Sequence, residues 1–135
     1  MSSSIPASEF VTDTMGLVLR IERRKLGQTA KSIFEAVEAG SVTVYAPALV
    51  FAEILYLSEK QRIGVSLHAV ATYLEQFPNY KELPMSLAVI QSAAEITDIP
   101  ELHDRLIAGT ARSLNLDLIT NDPTIQASAF VRTVW

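Results

Sequence analysis

Hydrophobic and polar positions along the chain follow two periods, and the switches between them mark the elements. Phe10, Val11 and Thr12 form a short β-like run that ends at Asp13. In "TMGLVLRIERR", Met15, Val18, Leu19 and Glu22 fall at helical spacing. In "TAKSIFEAVEAG", Ile33, Phe34 and Val37 share one face, and Gly40 reads as the helix end. "SVTVYA" alternates with β-branched residues, as a strand does. Pro47 fits the first turn of a helix running to about Arg62. "SLHAVATYLEQF" and "SLAVIQSAAEI" are amphipathic helices flanking a short strand in "YKELPM". "IPELHDRLIAGTARSLN" predicts a helix with Leu106, Ile107, Thr110, Ala111 and Leu114 on one side. "LDLIT" and "FVRTVW" read as the last two strands.

Strands that alternate with helices predict an α/β fold, a three-layer α/β/α sandwich with a mainly parallel central sheet. Ligands in such sheets gather beyond the carboxyl ends of the strands. The 135 residues are the size of one domain, taken as residues 9–135, and 49% are apolar, enough for one core. Residues 1–8 read as a loose polar tail, because "MSSSIPASE" has neither the basic end nor the apolar run of a signal peptide. The longest apolar stretch, "YAPALVFAEILYL", carries Glu53 and is too short to span a bilayer. A cytoplasmic protein with no membrane association is the expectation. The absence of cysteine excludes disulfides, thiolate metal sites and cysteine nucleophiles. A net charge of −4 disfavours non-specific attraction to phosphates, so contact with nucleic acid must be local or aided by a cation or a second subunit.

Four acids carry the candidate chemistry. Asp13 and Asp122 each follow a strand, and each is also placed to cap a helix, Asp122 with Pro123 after it. Glu53 has Leu49, Val50, Tyr56 and Leu57 around it on its helix, an expensive setting for a charge without compensation. Asp104 has Ile107, Ala108 and Ala111 on its face, though a first-turn aspartate also suits the helix dipole. Converging carboxylates repel one another until a hard divalent ion joins them. With no cysteine and two histidines, Mg²⁺ or Mn²⁺ fits better than zinc. Such ions suit phosphodiester hydrolysis.

"FVTDTMGLVL", "PALVFAEILYLSEKQRI", "LHDRLIAGTARSLNLDLITNDPTI" and "FVRTVW" resemble the PIN domain, in particular the VapC-like toxins of type II toxin–antitoxin systems. The resemblance runs from Phe10 to Trp135, and "HDRLIAGTA" and "LITNDPTI" are its most specific parts. It implies an Mg²⁺- or Mn²⁺-dependent endoribonuclease acting on RNA, a homodimer, and a small antitoxin partner. It assigns Asp13, Glu53, Asp104 and Asp122 to metal and catalysis. Thr120 stands where members often carry a hydroxyl near metal or substrate, although a β-branched strand residue is the simpler explanation. Thr14 and Asn121 are further candidates beside the acids. Met15 stands where many toxins carry His, and Gly109 where Ala is usual.

Other features have ordinary readings. "RIERRK", residues 20–25, could meet RNA phosphates, but a solvated helix end is the preferred explanation. His103 is preferred as an exposed neighbour over a proton shuttle, and Asp98 and Glu101 as loop and first-turn acids. The rival functions are an RNA maturation or decay nuclease on the same fold and a catalytically silent RNA- or protein-binding module. A phosphate-accepting receiver also ends its strands with acids, but two acids on helix faces and no lysine after a late strand argue against it.

Overall fold

The computed structural model describes residues 8–135. The expected tail falls mostly on residues 1–7, which lie outside them. Five strands, β1 (Glu9–Thr12), β2 (Thr43–Pro47), β3 (Tyr80–Leu83), β4 (Asp117–Ile119) and β5 (Thr133–Val134), form one sheet in the order β3-β2-β1-β4-β5. Every pairing is parallel. The connections are α1 (Thr14–Ile21), α2 (Gln28–Glu38), α3 (Ala48–Glu59), α4 (Leu67–Gln76), α5 (Leu87–Ala94), α6 (Leu102–Leu114) and α7 (Pro123–Gln126). Strand order steps one way from β1 through β2 to β3, then the other way to β4 and β5. Right-handed crossovers therefore put α1–α4 on one face of the sheet and α5–α7 on the other. This is the expected three-layer α/β/α sandwich.

The sheet centre is buried on both faces. Val11, Val44, Ala46, Leu118 and Ile119 are fully enclosed, together with Leu17, Val18, Phe34 and Ile54 from the covering helices. Adjacent buried residues are what a sheet covered twice requires, which explains why the strands read as short apolar runs. On the other face, α5 and α6 pack so closely that a Cβ on Gly109 would stand 2.8 Å from both Cβ and N of Ala93. The glycine is there for close packing.

Several boundaries differ from expectation. α1 stops at Ile21 rather than running through Arg24, because Arg23 turns left-handed (φ 57°). Glu22 caps the helix end, and its carboxylate accepts from the amides of Gly64 (2.6 Å) and Val65 (3.1 Å), tying α1 to the α3–α4 loop. α3 ends at Glu59 rather than near Arg62, with Gln61 also left-handed. The expected strand in "YKELPM" stops at Leu83, before Pro84. "FVRTVW" contributes only Thr133–Val134. Leu114 does not join the inner face of α6; it is exposed, and Ala108 fills that stripe with Ile107 and Ala111. Gly40 ends α2 at φ 86°, as expected.

Candidate active site

The strand order reverses on either side of β1, so a crevice opens beyond the ends of β1 and β4. Ladder bonding continues to the last residue before it: the Asp13 amide donates to the Ile119 carbonyl (3.1 Å). Asp13 is thereby held beside Thr120, and Asp122 follows two residues later. Asp13, Glu53, Asp104 and Asp122 all line one cavity of about 410 Å³, together with Thr14, Met15 and Asn121. The fold has brought acids from the turns after β1 and β4 and from α3 and α6 to one place.

Asp13 is buried and caps α1; its Oδ1 accepts from the Gly16 amide at 2.7 Å. Gly16 did not stand out in the sequence. A Cβ there would meet Thr12 Oγ1 at 2.9 Å and Asp13 Oδ1 at 3.0 Å, so the first turn of α1 can lie over the strand end only with glycine. Its one signal was a glycine early in a helix, where propensity disfavours it. Asp122 takes the capping role its sequence implied: Oδ1 accepts from Thr124 N (2.9 Å) and Ile125 N (3.1 Å), which leaves Oδ2 for the cavity.

Thr120 is more than a strand residue. It is fully buried, its hydroxyl oxygen accepts from the Asp122 amide (3.1 Å), and its hydroxyl bears on the Asp13 carboxyl, holding that acid's pKa down. One side chain thus holds the Asp122 backbone and acts on the Asp13 carboxyl. Thr14, also buried, donates its hydroxyl to Glu53 Oε1 and so links α1 to α3. Asn121 is exposed on the cavity wall. The face of α3 that carries Glu53 is a cleft rim rather than core: Val50 is buried, but Tyr56 is half exposed.

The electrostatics follow from this crowding. Burial pushes Asp13 up from 3.8 to about 6, against the hydrogen bonds from Thr120 and Gly16, and the charges of Asp122 and Glu53 push the same way. Burial likewise lifts Asp104 to about 6, aided by Asp122, Glu101 and Glu53. Among the described residues, no three His, Asp or Glu side chains stand close enough to grip a metal ion as they are. The donor set nonetheless fits a hard divalent cation: it is oxygen only, and it is destabilised by its own repulsion, which a cation removes.

The neighbouring polar residues have structural work. Glu101 caps α6 by accepting from the Asp104 amide (3.0 Å), and His103, exposed, lies 3.3 Å from Glu101. Asp98 accepts from Ser128 Oγ and Ala129 N, both at 2.8 Å, and anchors the loop before β5. Arg112 pairs with Glu95 and lies over Phe130. Arg20 of the basic run forks onto Glu38 (2.9 and 2.7 Å), which also accepts from Tyr73 and Tyr80.

Several solved structures share this fold. A chain of VapBC2 from Rickettsia felis, bound to a DNA fragment from their promoter, is 19% identical, with 93% of this chain and 97% of that one covered at a TM-score of 0.69. A chain of DNA-bound VapBC from Salmonella typhimurium is 17% identical, with coverage of 93% and 96% and a TM-score of 0.67. A toxin–antitoxin complex from Klebsiella pneumoniae is 19% identical, with coverage of 93% and 95% and a TM-score of 0.63. No curated protein matches the chain. The family model of the PIN domain matches residues 10–131, from β1 through α7 and thus across all four acids, and on that match the chain belongs to the PIN domain family.

Proposed function

We propose that this protein is a divalent-metal-dependent endoribonuclease, the VapC-like toxin of a toxin–antitoxin pair, acting as a single domain over residues 9–135. The observation that carries this reading is the convergence of Asp13, Glu53, Asp104 and Asp122 on one cavity beyond the strand ends. Asp13, Asp104 and Asp122, with Glu53, would hold Mg²⁺ or Mn²⁺. When bound, such an ion makes water more acidic and stabilises the charge that develops on a phosphodiester. The chain's own part is positional. Thr120 sets Asp13 and Asp122 relative to each other, Thr14 orients Glu53, and the α1 cap at Gly16 keeps Asp13 from swinging out. Asn121, exposed on the rim, would meet RNA.

An antitoxin is supported by a second cavity of about 490 Å³, mostly apolar, lined by Leu49, Ala52 and Tyr56. It shares Glu53 and Leu57 with the acidic cavity, so a short apolar segment lying in it would reach the carboxylates. A homodimer is supported by the exposed Leu87 and Ile90 on α5. No helix among the described residues is long and apolar enough to cross a membrane, which suits action on RNA in the cytoplasm.

Asp13→Asn and Asp104→Asn should each abolish Mn²⁺ binding by calorimetry and cleavage of RNA. Variants that cut RNA at the parent rate would show that the chemistry lies elsewhere.

A further inference from the structure

Residues 20–31 hold five of the chain's eleven Lys and Arg and one of its fifteen acids. The rest of the chain therefore carries six cations against fourteen acids. The basic segment is also concave. Arg20, Arg23, Arg24, Lys25 and Lys31 line a groove of about 460 Å³ where α1 turns into α2, with Glu35 on its wall. Two of these cations are committed: Arg20 forks onto Glu38, and Arg24 pairs with Glu22 at 3.1 Å. Arg23, Lys25 and Lys31 form no ion pair among the described residues, and Lys25 and Lys31 are exposed. The left-handed turn at Arg23 is what folds the cationic residues back around the groove instead of spreading them along a longer helix.

We propose that this groove binds the sugar–phosphate backbone of the RNA beyond the bond that is cut. The inference rests on the nuclease reading above. The groove lies at the far end of α1 from Asp13, and eight helical residues span roughly 12 Å. A strand whose scissile phosphate sits among the carboxylates can therefore follow α1 and leave its later phosphates at Arg23, Lys25 and Lys31. An acidic cavity repels the polyanion it must receive; a basic groove a short way along supplies the missing attraction. Phosphates suit the groove because it presents guanidinium and ammonium groups with no base-stacking aromatic among its lining residues, so it would hold RNA without reading its sequence.

The test is the triple variant Arg23→Gln, Lys25→Gln and Lys31→Gln, all positions outside the acidic site. Binding of a labelled single-stranded RNA of about twenty nucleotides is followed by anisotropy over a range of salt, in an Asp104→Asn background that blocks cutting. The triple variant should bind on the order of tenfold more weakly, and the slope of log K against log salt should fall by about 2, near 0.7 for each phosphate no longer neutralised. In the cleavage-competent protein, KM should rise with kcat unchanged. RNA affinity and salt slope equal to the parent's would overturn the proposal. So would an equal loss of affinity for a poly-glutamate peptide, which would make the groove a surface for an acidic polypeptide. If the parent cuts no RNA, the nuclease reading falls, and the binding measurement still decides the groove.

Discussion

Replacing Asp13 by Asn should make the metal-free protein more stable while it destroys the site. In the folded chain the Asp13 carboxyl sits at about 6 rather than 3.8. The folded state therefore holds this proton more tightly than the unfolded state. The associated stability is fully present below 3.8 and is lost as the pH rises through about 6. At pH 7.5 the ionised, buried carboxylate costs ~3 kcal/mol. Asparagine removes that cost and keeps an oxygen for the Gly16 amide, but its NH₂ must share the Thr120 oxygen with the Asp122 amide, which offsets ~1 kcal/mol. A net gain of about 2 kcal/mol corresponds to several degrees in Tm for a chain of this size. The assay is urea unfolding of both proteins in EDTA between pH 4 and 8. The gap should be widest above pH 7 and shrink as pH falls from 6 towards 3.8. Saturating Mn²⁺ should close or reverse it, since ligand at a hundred times its Kd adds about 2.7 kcal/mol to the parent alone. A variant less stable than the parent in EDTA at pH 7.5, or a gap indifferent to pH, would refute the argument.

Thr120→Val deletes the hydroxyl that accepts from the Asp122 amide and strands that amide; we expect a loss of about 1–3 kcal/mol in urea unfolding. Because that hydroxyl holds the Asp13 pKa down, the acid limb of the cleavage profile should move to higher pH, and Thr120→Ser should restore it. Glu38→Gln leaves the Arg20 guanidinium, 11% exposed, without its counter-charge and should cost about 3 kcal/mol by the same measurement, with Mn²⁺ affinity unaltered. Gly109→Ala drives a methyl into Ala93 and should lower stability by about 1–3 kcal/mol. Adding Ala93→Gly should recover only part of it, because N and Cα of Ala93 stand as near as its Cβ.

The elements were legible because their signals are local, and the boundaries were missed where the deciding contact is not. The helical period of "TMGLVLRIERR" continues through Glu22, yet the chain turns left-handed at Arg23 while the Glu22 carboxylate, on the helix cap, holds two amides about forty residues away. Leu114 belongs to the apolar stripe of α6 by spacing, but it lies at the helix end, where it meets solvent. α2 lacks a side-chain cap; the Ala30 amide is satisfied by the Trp135 carbonyl at 2.9 Å, packed where Gly27 has no side chain. Nothing near residue 30 could announce that partner.

The site was legible in its acids and not in what holds them. Carboxylates at two strand ends and on two inward-facing helix positions were visible, since an acid amid apolar neighbours violates the local pattern. A threonine at the end of a strand violates nothing, so ordinary β propensity was the simpler explanation of Thr120, and Gly16 drew no reading at all. Their roles depend on β1 and β4 lying side by side, a pairing that joins Phe10 to Asp117 and Thr12 to Ile119 across most of the chain. The same pairing resolves the ambiguity of Asp122. Capping and cavity-facing roles were rivals as long as the residue was considered alone. With Oδ1 accepting from Thr124 and Ile125, and the Thr120 hydroxyl oxygen accepting from the Asp122 amide, the cap fixes the carboxyl at the cavity wall. The structural duty of Asp122 is therefore the means by which its carboxyl is held at the cavity.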